Sequence, residues 1–237
     1  MSKQRLFRFK KFTVDHSGAT MKVGTDGVLL GAWLDIRDAH TILDIGTGSG
    51  VIALMMAQRT DVASQIDAVE IEKADAEQAI QNVNNSPWPE KVKVHCQPIQ
   101  DFRPGLKYDL IVSNPPFFRD SFQPPDVRRR QARHGDTLCH ADLIECVCRL
   151  LQETGTFNII LPPVEAQLFI DLAKENQLHL TRRCLFRTRA HKAPERWLME
   201  FSRRSGTIYE DEVLLYSSGE HWSEGYRSLT QDFYLKA

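Results

Sequence analysis

The chain has 237 residues, 42% of them hydrophobic and 26% charged, which suits a globular protein with one substantial core and excludes a disordered or fibrous chain. Its formal net charge of −1 neither requires nor forbids a polyanionic partner, because a local basic face can coexist with a balanced total. No apolar run approaches the roughly 20 residues that span a bilayer, and the five cysteines (Cys96, Cys139, Cys146, Cys148, Cys184) form neither a CxxC pair nor a zinc-spaced set, so a cytoplasmic protein without disulfides or bound metal is expected.

Residues 1–40 read as an N-terminal extension capping the remainder, and 41–237 as one structural unit. From Thr41 short apolar runs alternate with helical patterns, as happens when crossover helices join parallel strands. Strands are predicted over Thr41–Ile45, Gln65–Glu70, Val92–Cys96 and Tyr108–Ser113, with helices over Val51–Gln58 and Lys73–Asn85. An amphipathic helix follows at Ala141–Leu151, then a strand over Gly155–Leu161 that Pro162-Pro163 terminates, then a helix over Val164–Asn176. Leu178–Phe186, Arg196–Arg203 and Tyr209–Tyr216 read as strands without intervening helices, which adds an antiparallel edge. The fold class is therefore α/β, a Rossmann-like doubly wound sheet with an antiparallel C-terminal edge.

Two segments carry chemistry. In Leu43-Asp44-Ile45-Gly46-Thr47-Gly48-Ser49-Gly50, glycines stand where a strand must turn sharply into a helix and let a ligand approach the backbone. Glu70 closes the second strand about 20 residues later, where a carboxylate accepts hydrogen bonds from the ribose hydroxyls of an adenosine. Asp44, just before the glycines, would repel a pyrophosphate but suits a cationic methionine end, which favours S-adenosylmethionine over NAD.

The second segment is Asp109-Leu110-Ile111-Val112-Ser113-Asn114-Pro115-Pro116-Phe117-Phe118, a buried strand running into an Asn, two prolines and two aromatics. An adenine amine delocalises its lone pair into the ring, so its methylation needs acceptors that orient its hydrogens and favour a tetrahedral nitrogen. The Asn114 side-chain carbonyl and the Pro115 main-chain carbonyl are two such acceptors; the prolines restrict their motion, and Phe117 is placed to stack on the base.

With DIGTGSG and NPPFF the chain resembles the amino-methyltransferases, which act on adenine, guanine or glutamine amines. With FKKFTVDHSGATMKVGTDGVLLGAW, ARHGDTL and LTQDFYLK added, it resembles the bacterial valine-tRNA adenine-N6-methyltransferases along essentially its whole length. The resemblance implies that Asp44, Gly46, Gly48, Glu70 and Asn114 bind S-adenosylmethionine and that Lys22, Thr25, Asp26 and Gly27 line its methionine end. It further implies that Asn114, Pro115 and Phe117 engage the adenine just 3′ of the anticodon in a valine tRNA. Related enzymes carry an acidic residue after the third strand; this chain reads Cys96-Gln97-Pro98-Ile99-Gln100-Asp101 there, leaving Gln97 and Gln100 as candidates for the cofactor's adenine.

Three basic runs give candidate RNA contacts: Arg128, Arg129, Arg130, Arg133 and His134 after the acceptor motif; Arg187, Arg189 and Lys192 within a stretch that also holds Arg182, Arg183, His191 and Arg196; and N-terminal Lys3, Arg5, Arg8, Lys10 and Lys11 interleaved with Phe7, Phe9 and Phe12. Other amine acceptors (guanine in ribosomal RNA, adenine in DNA, glutamine in protein) fit the NPPF motif too. From a different class, an NAD-binding oxidoreductase leaves Asn114-Pro115-Pro116-Phe117 unexplained, and an inactive RNA-binding protein has no use for both acceptors.

Overall fold

The computed structural model describes residues 6–116 and 138–235. Their centre is an eight-stranded sheet. Strands β3 (Thr41–Ile45), β4 (Gln65–Glu70), β5 (Val92–Cys96), β6 (Tyr108–Ser113) and β7 (Leu151–Leu161) pair in parallel in the order β5-β4-β3-β6-β7. Continuous apolar runs such as Leu110–Val112, fully buried, are what a sheet covered on both faces requires. The order reverses between β3 and β6, so the carboxyl ends of those two strands flank the switch point at which open α/β sheets bind ligands.

Beyond β7 the order continues with β9 (Arg196–Ser202), β8 (His179–Arg187) and β10 (Tyr209–Leu214). The antiparallel pairing is concentrated in β9, which runs against β7 and β8, while β10 lies parallel to β8 at the edge. β7 starts four residues earlier than its sequence pattern indicates, because it leaves the preceding helix without a loop and pairs Leu151 with Tyr108 before a register shift.

Helices α1 (Thr25–Trp33), α2 (Val51–Arg59), α3 (Lys73–Asn84) and α6 (Glu224–Thr230) and the N-terminal hairpin β1 (Leu6–Arg8)–β2 (Thr13–Asp15) gather around one buried cluster; α4 (His140–Leu150) and α5 (Pro163–Glu175) build the other. Helix α1 has no counterpart among the predicted elements. Every residue from Gly27 to Trp33 is buried, so it has no polar face and shows no helical periodicity. Arg59 holds its C-terminal end, donating to Gly31 O at 2.8 Å and Leu34 O at 2.8 Å, where the helix leaves carbonyls unpaired. The short hairpin β11 (Tyr216–Ser218)–β12 (His221–Trp222) precedes α6.

Candidate active site

Gly46, Gly48 and Gly50 all have positive φ (71°, 55° and 84°), so the turn after β3 is one that L side chains rarely adopt. A Cβ on Gly46 or Gly48 would meet nothing within 4 Å, which leaves the backbone of the turn open to the approach of a ligand. Glu70, nearly buried, sits beside it: one carboxylate oxygen accepts from Gly48 N at 2.8 Å and the other from Glu72 N at 3.0 Å. Each oxygen keeps a further lone pair, so the carboxylate braces the turn and still has capacity for two hydroxyls.

Asp44 is 1% exposed, and its Oδ2 accepts from the Thr47 hydroxyl at 2.6 Å and from Ala53 N at 3.1 Å. It therefore fastens the turn to the first turn of α2. Burial, with a smaller contribution from the Glu70 charge, pushes its carboxyl up to about 7, against the opposing pull of those two hydrogen bonds. A neighbouring cation would restore its charge, which fits a site for a positively charged ligand.

Asn114 follows β6, whose last residue, Ser113, donates its hydroxyl to Ile45 O at 2.9 Å and so locks the acceptor segment to the strand carrying the glycine turn. Val112 is paired with Asp44 in the sheet, so both motifs emerge side by side. Among the described residues no hydrogen bond engages the half-buried Asn114 amide, and Pro115 behind it is buried. The start of α1 closes the other side: a Cβ on Gly27 would lie 3.7 Å from Asn114 Nδ2 and 3.4 Å from Val51. Thr25 and Lys22, just before it, are exposed. Asp26 is turned toward β9, where it pairs with Arg196 at 2.8 Å, an ion pair that sequence reading missed because 170 residues separate the partners. His140 Nε2 and Glu165 Oε2, at the starts of α4 and α5, lie 3.4 Å apart.

On the adenine side, Gln97 is half-buried and donates its backbone N–H to Glu70 O at 2.9 Å, whereas Gln100 is exposed in the short 3-10 turn Ile99–Asp101. Phe117, Arg128, Arg129, Arg130, Arg133 and His134 lie outside the described residues.

The second basic run is largely neutralised. Arg182 pairs with Asp211, Arg183 with Glu210 and Arg187 with Glu212, all across β8 and β10, and Arg182 and Arg183 also stack over Trp33 and Trp197. The basic side chains of this run without such a partner among the described residues are on the β8–β9 connection, where Lys192 and His191 face solvent and the half-buried Arg189 lies over Tyr216 at 5.2 Å. Of the N-terminal phenylalanines, Phe9 and Phe12 are buried, packed against Tyr234 and Trp88. Among the described residues there is no group of three metal-binding side chains, and no helix is long and apolar enough to cross a membrane.

Residues 16–161 match the family model of the methyltransferase small domain. A tRNA1(Val) (adenine(37)-N6)-methyltransferase of Bacteroides fragilis is 43% identical over 98% of this chain and 99% of its own length. One from Shigella dysenteriae serotype 1 is 42% identical over 97% of this chain and 94% of its own. Among solved structures, a predicted O-methyltransferase from Agrobacterium tumefaciens superposes with a TM-score of 0.68 at 16% identity, covering 88% of this chain and 96% of that one. A ribosomal protein L11 methylase from Lactobacillus delbrueckii gives 0.59 at 17% identity, covering 81% and 84%. These two likenesses concern the fold alone.

Proposed function

Because this chain belongs to the methyltransferase small-domain family, and within it to the tRNA1(Val) (adenine(37)-N6)-methyltransferases, we propose that it methylates the exocyclic amine of adenosine 37, beside the anticodon of a valine tRNA. The methyl donor of this class is S-adenosylmethionine, which when bound supplies an electrophilic methyl on a sulfonium. The residues present fit it: open backbone at Gly46 and Gly48, a carboxylate with spare acceptor capacity at Glu70, and a buried carboxyl at Asp44 that a cation would ionise.

The observation that carries the reading is the Asn114 amide, free of hydrogen-bond partners among the described residues and held between β6 and Gly27, one strand from the glycine turn. Its carbonyl and that of Pro115 accept the two amine hydrogens, which draws the nitrogen lone pair out of conjugation and aims it at the methyl. As the C–N bond forms the methyl–sulfur bond would break, leaving S-adenosylhomocysteine, and the methylated amine, now acidic, would lose its proton to solvent afterwards, so no strong base is needed. Reaching the amine requires an unstacked base, and an anticodon loop presents one at low cost. Arg189, Lys192 and the run Arg128–Arg133 with His134 are the proposed phosphate contacts, with Arg187 supporting them from its pair with Glu212.

Incubating the purified protein with labelled methyl donor and unmodified valine tRNA, then digesting to nucleosides, tests this. Label in N6-methyladenosine, lost when adenosine 37 is replaced, is expected. Label in guanosine, in DNA or in protein instead would overturn the substrate assignment.

A further inference from the structure

Three buried polar residues line one face of α3 where apolar ones would seat a helix better. Asp75, Gln78 and Asn82 are spaced by three and four, so they share that face, and each is less than a tenth exposed. Their hydrogen bonds end on main-chain atoms: Asp15 at the end of β2, Gly18 and Thr20 in the segment after it, and Ser49 in the glycine turn. Asp75 Oδ1 accepts from Thr20 N at 2.6 Å, and Gln78 Oε1 from Gly18 N at 3.2 Å. Asn82 Oδ1 accepts from Asp15 N at 2.9 Å, and its amide donates to Asp15 O at 2.8 Å and to Ser49 O, in the glycine turn, at 2.9 Å. Residues 16–24 belong to no helix or strand, so their amides need such partners when covered.

The order of these bonds gives the segment its direction. It starts beside Asn82 in the last turn of α3 and climbs to Asp75 in the first, the end to which β4 delivers Glu70. From Thr20 the chain reaches Thr25 at the head of α1 in five residues, about 17 Å at full extension, and Gly27 there lies against Asn114. Residues 21–24, with Lys22, therefore pass from the Glu70 side to the Asn114 side of the site. The turn itself rests on the same helix, since a Cβ on Gly50 would be 3.4 Å from Ala79.

We infer that Asn82 is a positioning residue for cofactor binding, clamping the N-terminal strap and the glycine turn into one register so that two walls of the pocket are set by a single amide. It touches neither cofactor nor acceptor, and its effect falls on affinity for the donor. The inference rests on the reading of the turn as a cofactor site.

Calorimetry with S-adenosylhomocysteine on the full chain, with steady-state kinetics, tests it in Asn82→Ala and Gln78→Ala. Asn82→Ala is expected to raise Kd for S-adenosylhomocysteine and KM for S-adenosylmethionine about tenfold or more, with kcat at saturating donor and tRNA affinity near wild type. Hydrogen exchange should quicken in both 15–24 and 46–50. Gln78→Ala, which removes one of the strap's bonds to α3 without touching the turn, should raise the same constants about threefold and quicken exchange in the strap alone. It keeps the test open if Asn82→Ala does not fold. Wild-type affinity in the folded variants, even with a lowered Tm, would overturn the inference by reducing the clasp to a stability device. A wild-type protein that does not bind S-adenosylhomocysteine would overturn the cofactor reading instead, and the clasp's role with it.

Discussion

Asn114 and Asp44 stand on neighbouring strands, Asp44 paired with Val112, but ask for different tests. Asn114 offers an amide with no hydrogen-bond partner among the described residues, so Asn114→Ala should leave tRNA docking nearly intact and slow single turnover at saturating tRNA and donor by about a hundredfold or more, the worth of one preorganised hydrogen bond to developing charge. A rate within a few-fold of wild type would return Asn-Pro-Pro to the status of a rigid turn. Asp44 titrates near 7 when folded and near 3.8 when unfolded, so between those values the unfolded chain has released a proton that the folded one retains. Stability is then fully present below about pH 4, declines as pH rises, and has lost roughly 4 kcal/mol above pH 7. Asp44→Asn cannot ionise and keeps an oxygen for Thr47 and Ala53, so its Tm relative to wild type should climb between pH 5 and pH 8 while donor affinity falls. A constant difference across that range would show that Asp44 stays charged.

At the scale of elements, the β8–β10 pair decides which arginines are left for the proposed RNA contacts. Glu210, Asp211 and Glu212 on the edge strand take the guanidiniums of Arg183, Arg182 and Arg187, and the charges also discourage pairing of the edge with another chain. Partly exposed pairs of this kind contribute at most about 1 kcal/mol each. Arg187→Gln should therefore lower stability slightly and leave the salt dependence of tRNA binding near wild type. Replacing Arg189 and Lys192 together by Gln should weaken binding and reduce the slope of log affinity against log salt by about 1 to 2. Equal slopes for the two proteins would remove the β8–β9 connection from the RNA face.

Over the described molecule, the N-terminal hairpin and the segment that follows α6 close on each other. Lys10 N donates to Phe233 O at 2.8 Å, Phe9 bridges to Tyr234, and the rings of Phe7, Phe9, Tyr226, Trp222 and Tyr234 form one aromatic group beside α1. Residues 6–40 thus share a core with the rest, and we expect a single cooperative unfolding transition rather than two. Ending the chain at Thr230 removes the buried Phe233 and its neighbour Tyr234, at a cost of about 3–5 kcal/mol or more. Calorimetry should give one transition at lower temperature; two resolved transitions in the full chain would separate the extension from the sheet domain.

The parallel strands, the glycine turn with Glu70, and Asn114-Pro115-Pro116 at the end of β6 were legible in the sequence, because each rests on local pattern: apolar runs bounded by turn residues, glycines at positive φ, prolines that stop a strand. Helix α1 was not, since a helix buried all round carries no period; nor was the C-terminal helix α6, seven residues long with only Tyr226 and Thr230 buried. The reversal of β9 alone among the last strands came from pairing partners that strand propensity does not name. The same holds for charge and for buried polar groups. Whether an arginine meets RNA or a carboxylate, and whether Asn82 faces water or the backbone of the strap, depends on residues 29 positions away for Arg182 and Asp211, 67 for Asn82 and Asp15, and 170 for Arg196 and Asp26. Side-chain chemistry by itself determined what this protein can bind; distances set by tertiary packing decided which of those groups remain free to bind it.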